Sequence, residues 1–428
     1  MKSNESVQQE TEQYGFTIRE EGPEPSAINS KEFYCLDGGF ASHLPTHYKQ
    51  TVENDPLWSC RALHKDPEAV IKTHKDFVEA GADIVTTNTY QATGEHLRKH
   101  LGKDMIDPII GPHVLLEDAA KLARRGVQSA GKVGGKPFVA GSVGPYGACL
   151  CDGSEYNGNY LKPGHPSSKS LGADKRAIRE FLRNWHRDRI KRLHLGGADV
   201  HAVETMPGSL EPLAILDVLE EFPGTKAWIS FQCQEGGRTT ASGEPIEDAF
   251  RALHRHRSFK FKIIAVGANC VNPRDVSEIL TRFNNVNNWK EWPDVLHYNK
   301  MPYIVYPNAG RQWDGNSKSW MDQNSESFDG CKEILENIGL WMRLGANIIG
   351  GCCQIGPEMI RRISKTITLE MFDTLQARMR EEEQNSNPDE EWSSVLQRLE
   401  KPSDDRVKRG KNNEEEERLV FVFDIGNV

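Results

Sequence analysis

The sequence predicts an α/β fold, a (β/α)8 barrel, and three observations lead to it. Between residues 31 and 368, eight short apolar runs rich in β-branched residues alternate with amphipathic helical patterns. Polar residues follow nearly every apolar run, and only a closed barrel brings all of those strand ends to one mouth. A doubly wound open sheet is the competing fold, but no Gly-x-Gly-x-x-Gly motif follows the first run.

The predicted elements follow one another regularly along the chain. The strands are expected at 33–38, 83–90, 137–143, 199–206, 227–233, 261–270, 302–307 and 346–353. The helices are expected at 67–80, 112–130, 173–196, 209–222, 245–257, 272–283 and 325–344, with one more from 356 onward. Proline near several helix starts does no harm, because first-turn N–H groups have no partner within the helix. Gly-Ala-(Asp/Asn) at 81–83, 197–199 and 345–347 ends a helix just before a strand.

Composition excludes several classes of protein. The chain has 428 residues and a formal net charge of −9, so it lacks the basic surface that nucleic-acid binding requires. No apolar run approaches the ~20 residues of a membrane span, and the N-terminus lacks the apolar region of a signal peptide. Nine cysteines without secretory context indicate a reducing compartment. We therefore expect a cytoplasmic protein that acts on small molecules; the sequence does not predict its oligomeric state.

Three segments are expected along the chain. Residues 1–30 are polar and charged and predict a disordered lead-in, and the barrel follows at 31–368. Blocks of like charge, such as 381–383, predict a charged, flexible tail over 369–428. The basic helical pattern at 174–192 is expected to form a solvated outer face of the barrel.

Three cysteines at strand ends are the strongest chemical signal. Cys352 and Cys353 follow two glycines at the end of the eighth predicted strand, and Cys270 ends the sixth. Adjacent cysteines cannot form an ordinary disulfide without strain. Alternate strands contribute to the same interior layers of a barrel, so the three thiolates can converge. Three thiolates with an open fourth position are typical of catalytic zinc. The alternative is that they are small buried hydrophobic residues.

The ligand set also indicates the kind of chemistry. Zinc held by three thiolates is a poor Lewis acid toward water, but it can hold an incoming thiol as thiolate, so thiol activation is favoured over hydrolysis. A zinc hydrolase would be expected to use histidine ligands, and no His-Glu-x-x-His motif occurs. A non-catalytic barrel that binds zinc or thiols and senses sulfur metabolites is an alternative with the same pocket.

Other polar groups at strand ends predict a pocket. Asp37 ends the first strand and Glu204 the fourth; they could act as a general acid and base, or anchor a substrate ammonium group. The alternative for Asp37 is a helix cap. Thr87 belongs to a run of hydroxyl and amide side chains that suits a polar small molecule. Tyr146 and Tyr156, in a glycine-rich segment, suit a lid or a surface for a cation, because aromatic faces attract sulfonium and ammonium groups.

Taken in order, the motifs resemble the zinc-dependent homocysteine S-methyltransferase family, particularly the branch that uses S-methylmethionine or S-adenosylmethionine. The similarity covers about 31–368. It rests on Asp-Gly-Gly (37–39), Gly-Ala-Asp-x-x-x-Thr-Asn-Thr-Tyr (81–90), AGSVGPYGACLCDGSEYNGNY (140–160), Glu-Thr-Met-Pro (204–207), Gly-Ala-Asn-Cys (267–270), Tyr-Pro-Asn-Ala-Gly (306–310) and Gly-Gly-Cys-Cys (350–353). The betaine-using branch is less similar in the third-strand segment.

The resemblance implies a function and a site. The activity would be methyl transfer from a sulfonium donor to L-homocysteine, giving methionine. The zinc ligands would be Cys270, Cys352 and Cys353. Homocysteine would be held near Asp37, Thr87 and Glu204, with no catalytic residue beyond the zinc site. The pair Cys149 and Cys151, an insertion near 285–300 and the charged tail depart from the family pattern, and none of these falls on an expected ligand.

Overall fold

Eight parallel strands form a closed barrel in the computed structural model of the chain. The structure describes residues 33–385 except 51, 53–54, 102–110, 112–113, 132–135, 287–300, 310–311, 315–318 and 322–328. The barrel strands are β1 (Tyr34–Cys35), β2 (Ile84–Thr86), β3 (Phe138–Val143), β4 (Val200–Met206), β5 (Ala227–Phe231), β6 (Ile263–Asn269), β7 (Tyr303–Tyr306) and β10 (Ala346–Ile349). A short antiparallel hairpin, β8 (Gln312–Asp314) and β9 (Ser319–Met321), stands outside the barrel sheet.

The strand order confirms the predicted (β/α)8 barrel. Hydrogen-bonded neighbours run β1-β10-β7-β6-β5-β4-β3-β2. A parallel bridge between Leu36 and Ile84 joins the two ends of this order, and the Asp37 N–H donates to the Ile84 carbonyl at 3.0 Å. The sheet is therefore closed, and the C-terminal ends of all eight strands surround one mouth.

Helices lie between the strands at nearly every position that the sequence predicts. They are α1 (Phe40–His43), α2 (Ala62–Lys65), α3 (Pro67–Glu79), α4 (Gly94–Leu101), α5 (Val114–Ser129), α6 (Tyr146–Leu150), α7 (Lys175–Leu195), α8 (Leu210–Leu219), α9 (Ile246–His254), α10 (Phe259–Lys262), α11 (Val276–Val286), α12 (Gly330–Arg343) and α13 (Pro357–Asn385). Short 3-10 turns occur at Leu44–Thr46, Trp58–Arg61, Ser154–Tyr156, Asn159–Leu161, Pro166–Ser168 and Pro273–Asp275.

Side-chain caps explain where several helices start. Asp66 precedes α3, and its carboxylate accepts a hydrogen bond from the Ala69 N–H at 3.0 Å. Asp174 does the same for α7. Helix α12 begins at residue 330, not at the predicted 325, because Asp329 caps its first N–H groups. Such caps replace hydrogen bonds that the first turn of a helix cannot make internally.

The barrel interior is filled by side chains of mixed size. Large residues such as Trp228 lie beside small ones such as Ala202 and Ala265, and all three are fully buried. The Trp228 indole donates to the Tyr306 hydroxyl at 3.1 Å, so its polar atom is satisfied inside the barrel. This packing gives the strand ends a rigid base.

The outer segments are described only in part. The predicted lead-in, 1–30, lies outside the described residues, as does 386–428. Helix α13 continues to Asn385, past the start of the predicted tail at 369. No helix in the described part of the chain is long and apolar enough to cross a membrane.

Candidate active site

The three cysteines singled out in the sequence meet at the C-terminal mouth of the barrel. Cys270 follows β6, and Cys352 and Cys353 lie just beyond β10. The Cys270 Sγ is 3.7 Å from the Cys353 Sγ, which is 3.9 Å from the Cys352 Sγ. A tetrahedral zinc ion with Zn–S bonds of about 2.3 Å separates its sulfur ligands by about 3.8 Å. The spacing and the soft donor set both fit zinc.

The thiols influence one another's ionisation strongly. Contacts from the Cys352 and Cys353 thiols hold the pKa of Cys270 well below its usual value, although burial opposes this. The same contact with Cys270 raises the pKa values of Cys352 and Cys353. The protein alone thus favours one thiolate that accepts hydrogen bonds from two thiols. A divalent cation at this point would allow all three sulfurs to be anionic.

Glycines allow the ends of β1 and β10 to approach closely. A Cβ atom on Gly39 would lie 2.6 Å from the Cys352 carbonyl oxygen, and one on Gly350 would lie 2.7 Å from the Leu36 Cβ. Real Cβ atoms do not make contacts this short, so both positions need glycine. The Gly351 N–H also donates to the Asp37 carbonyl at 3.1 Å. The Asp-Gly-Gly and Gly-Gly-Cys-Cys motifs therefore fit against each other.

Cys270 and Thr205, at the ends of β6 and β4, have left-handed backbone conformations. Cys270 has a φ of 56° and Thr205 a φ of 60°. Non-glycine residues adopt this region at a cost of about 1–3 kcal/mol, and such residues cluster at functional sites. Asn269 holds the pair in place: its Oδ1 accepts from the Thr205 N–H at 2.7 Å, and its Nδ2 donates to the Thr205 Oγ1 at 2.8 Å. The amide thereby fixes the end of β4, with Glu204, to the end of β6, with Cys270.

Glu204 is a buried carboxyl group at the end of β4. Its Oε1 accepts a hydrogen bond from the Ser142 hydroxyl, and the Tyr306 hydroxyl also bonds to it. Burial raises the pKa of Glu204 to about 7; the two hydroxyl contacts act against the rise and the nearby Cys270 adds to it. The surroundings stabilise the ionised carboxylate of Glu204 only partly, and a cation in the cavity would stabilise it further.

Asp37 lies across the mouth at the end of β1 and is 1% exposed. Its Oδ2 accepts from the Thr86 N–H at 2.7 Å, and the Thr86 hydroxyl is 3.1 Å from each carboxylate oxygen. Burial raises the pKa of Asp37 well above its usual value, Thr86 lowers it, and Glu204 raises it further. The carboxylate is therefore fixed by β2 and does not cap the helix that follows it.

Thr87 is also buried, and it joins two strands. Its Oγ1 accepts from the Ser142 N–H at 2.9 Å and lies 2.7 Å from the Thr89 Oγ1. The residue borders the same cavity as the two carboxyl groups. Its hydroxyl is already engaged within the protein, so it contributes shape and position more than a free donor.

A cavity of about 100 Å³ connects these groups. Its walls include Asp37, Thr86, Thr87, Asn88, Ser142, Glu204, Thr205, Asn269, Cys270, Tyr306, Cys352 and Cys353. The aromatic side chains of Phe40, Trp58, Tyr90 and Tyr156 also line it, and the Trp58 and Tyr90 rings lie 6.1 Å apart, near edge-on. One cavity thus contains the thiols, two carboxyl groups and an aromatic surface.

The two tyrosines of the glycine-rich segment have different positions. Tyr156 borders the cavity and bonds to the Cys270 sulfur. Tyr146 does not line this cavity; it packs against Tyr160 at 5.5 Å and against Trp185 at 5.2 Å between ring centroids. The expectation of a cation-facing surface is thus consistent with the position of Tyr156 and wrong for Tyr146. Cys149 is directed elsewhere as well: its thiol donates to the Gln91 carbonyl at 3.0 Å.

The expectation that the basic residues of α7 form a solvated outer face is wrong for Arg189, whereas the other arginines and the lysines are exposed or partly exposed. Arg189 is 1% exposed and donates to the carbonyls of Gly144, Thr89 and Tyr90 at 2.9, 3.2 and 2.7 Å. It therefore holds the segments after β2 and β3 together beneath the mouth. Other arginines of α7 pair with carboxylates of neighbouring segments: Arg179 with Asp217, Arg183 and Arg187 with Glu221, and Arg192 with Glu117.

Sequence reasoning assigned no role to several residues that support the site. Asn308 bonds to the Cys270 sulfur, and its Oδ1 accepts from the Cys353 N–H at 3.2 Å. Tyr306 links Glu204 to Ser230, which lies 2.6 Å from its hydroxyl. A signal was present, because Tyr306 and Asn308 belong to the Tyr-Pro-Asn-Ala-Gly motif at the end of the seventh strand.

The chain is similar to known proteins over most of its length. The family model described as homocysteine S-methyltransferase matches residues 34–367. A Drosophila melanogaster betaine-homocysteine S-methyltransferase is 35% identical over 79% of this chain and 95% of its own length. Arabidopsis thaliana homocysteine S-methyltransferase 1 is also 35% identical, over 78% of this chain and 92% of its own length. Overall identity therefore does not distinguish the betaine-named relative from the others.

The chain is similar to solved structures as well. The homocysteine methyltransferase MmuM from Escherichia coli, in its metallated form, matches with a TM-score of 0.60 and 27% identity, over 80% of this chain and 99% of that chain. Its oxidised form gives a TM-score of 0.61 and 26% identity. The family model covers most of the barrel and the site residues lie within it. The chain is an enzyme of the homocysteine S-methyltransferase family.

Proposed function

We propose that this enzyme transfers a methyl group from a sulfonium donor, S-methylmethionine or S-adenosylmethionine, to L-homocysteine, giving methionine, with zinc held by Cys270, Cys352 and Cys353. The observation that carries the proposal is the meeting of three thiols, at 3.7 and 3.9 Å, in a cavity that also contains two buried carboxyl groups. Zinc bound there would hold the homocysteine thiol as a thiolate at neutral pH.

The two buried carboxyl groups would bind the ammonium group of homocysteine. Glu204 and Asp37 are both buried, and burial raises both pKa values. A substrate ammonium group between them would return each to its charged form, because an opposite charge at close range stabilises a carboxylate. This favours the role of ammonium anchor over that of general acid and base. Thr87 would shape the wall of the cavity beside the substrate.

The aromatic lining suits the methyl donor. Tyr156 and Trp58 border the cavity, and aromatic faces attract sulfonium cations. The homocysteine sulfur forms a bond to the methyl carbon while the donor's carbon–sulfur bond breaks. The electron pair of that bond stays on the departing thioether. No base has to act on carbon, so the protein's contribution is to hold the two sulfur compounds in line.

The test compares methyl donors directly. Zinc-loaded enzyme is incubated with homocysteine and, separately, S-methylmethionine, S-adenosylmethionine or betaine, and methionine is quantified. We expect methionine from at least one sulfonium donor and little from betaine, a quaternary ammonium donor whose leaving group would be a tertiary amine. Product from betaine alone would overturn the choice of donor. Absence of product from all three would overturn the proposed reaction.

A further inference from the structure

Three side chains outside the active site converge beside helix α1. The Nε2 atoms of His43 and His47 each lie 2.7 Å from the Oδ2 of Asp76. The side chains of His43, His47 and Asp76 are 17%, 23% and 29% exposed, so the three are mostly buried but accessible to solvent. Within the described residues, this is the second of two places where three His, Cys, Asp or Glu ligand atoms all lie within 4.8 Å of one another; the active-site cysteines are the first.

The backbone fixes the position of this cluster. His43 ends α1 and His47 follows the 3-10 turn Leu44–Thr46, so their four-residue spacing brings both rings to the same side. Leu44 is fully buried beneath them, and Phe77, next to Asp76 on α3, is fully buried as well. The His43 ring also contacts the Phe77 ring, with 5.5 Å between centroids.

The donor set is that of a transition-metal site. Two imidazoles and a carboxylate suit zinc and neighbouring divalent ions, and three protein ligands leave a fourth position for water. Ligand atoms around tetrahedral zinc lie about 3.3 Å apart, so the present 2.7 Å contacts would have to widen by about 0.6 Å. Partly exposed side chains can make this adjustment. Each imidazole would carry its proton on Nδ1, and the Thr46 hydroxyl lies 3.4 Å from that atom of His43.

We propose that His43, His47 and Asp76 form a second, non-catalytic site for a divalent transition ion such as Zn²⁺. An ion there would join α1 to α3. Helix α1 is itself bonded to the segment that follows the active-site cysteines: the Gln354 N–H donates to the Ser42 hydroxyl at 3.0 Å. The site would therefore stabilise the wall of the barrel mouth from outside.

The test is calorimetric titration of Zn²⁺ into enzyme that already holds one zinc per chain. Wild-type protein should take up a second equivalent. The variant carrying His43→Gln and His47→Gln should bind it more weakly by over about 100-fold, since loss of direct ligands exceeds the effect of losing an outer hydrogen-bond partner. That variant should keep its first zinc. Asp76→Asn, which preserves size and an acceptor, should show the same loss.

A matched control separates this site from histidine pairs in general. His96 and His100 share the four-residue spacing on α4, with ring centroids 4.6 Å apart, but belong to no three-ligand group among the described residues. Replacing both by Gln should leave the second equivalent bound. Added Zn²⁺ should raise the Tm of wild-type enzyme and of this control, but not of Asp76→Asn. The proposal is overturned if wild-type enzyme takes up no second equivalent, or if the His43/His47 variant and Asp76→Asn both bind it as tightly as wild type.

Discussion

Replacing Glu204 by Gln should have opposite effects on activity and stability. Gln keeps an oxygen that can accept from Ser142 but removes the charge proposed to bind the substrate ammonium group. Truncating one member of a buried charge pair costs about 2–5 kcal/mol. A value near 3 kcal/mol corresponds to a kcat/KM for homocysteine that is roughly 100-fold lower.

The stability effect follows from the pKa. Burial raises the pKa of Glu204 from 4.5 to about 7, so the folded protein holds this proton more tightly than the unfolded chain. The contribution of Glu204 to wild-type stability therefore falls as pH rises from 4.5 to about 7, by about 3 kcal/mol at 1.36 kcal/mol per unit. Gln has no proton to lose, so the variant avoids this fall.

The assay combines steady-state kinetics with urea unfolding at pH 5 and pH 8. The free energy of unfolding of Glu204→Gln, relative to wild type, should be higher at pH 8 than at pH 5 by about 2–3 kcal/mol. Glu333→Gln, on the partly exposed surface of α12, is a matched control and should show neither effect. A variant with unchanged kcat/KM, or with a stability difference independent of pH, would refute the reasoning.

Further substitutions test other parts of the structure. Cys352→Ala should lose bound zinc and activity together, measured by elemental analysis and methionine formation, whereas Cys331→Ala on α12 should retain both; turnover by metal-free protein would contradict this. Arg189→Met should lower the free energy of urea unfolding by about 3 kcal/mol, because it removes three hydrogen bonds that a buried charged group donates to the carbonyls of Gly144, Thr89 and Tyr90; a change under 1 kcal/mol would show that these bonds contribute little to stability. Burial lowers the pKa of His74 to about 3, and neither ring nitrogen has a hydrogen-bond partner. The folded state resists protonating it, so the contribution of His74 to stability falls as pH drops below about 6.5. Between pH 6 and pH 5, the free energy of unfolding of His74→Leu should therefore fall less than that of wild type, by up to about 1.4 kcal/mol per pH unit. An unchanged pH dependence would exclude this contribution of His74.

The barrel and its thiols could be predicted because the signal lies within each strand. Eight apolar runs of strand length, nearly all followed by polar residues, specify the fold and the mouth. Cys270 and the Cys352–Cys353 pair lie at strand ends, and the closed sheet then brings those ends together. Their convergence therefore needed no knowledge of loop geometry.

What could not be predicted depends on contacts between distant segments. The burial of Arg189 arises from the carbonyls of two other strand ends, and nothing in the basic pattern of α7 distinguishes it from the arginines that form ion pairs at the surface. Tyr146 and Tyr156 have similar surroundings in sequence, but Tyr146 packs against Tyr160 and Trp185, whereas Tyr156 borders the cavity. His43 and Asp76 are 33 residues apart, on α1 and α3, so their pairing is visible only in the folded protein.

X-ray absorption at the zinc edge tests the central claim most directly. Zinc-loaded enzyme is measured with and without homocysteine, using the His43→Gln/His47→Gln variant so that any zinc at the second site does not contribute. We predict three sulfur neighbours around zinc in the free enzyme and four with homocysteine bound. A sulfur count that stays at three with saturating homocysteine, or a free enzyme with mainly nitrogen and oxygen neighbours, would contradict the account.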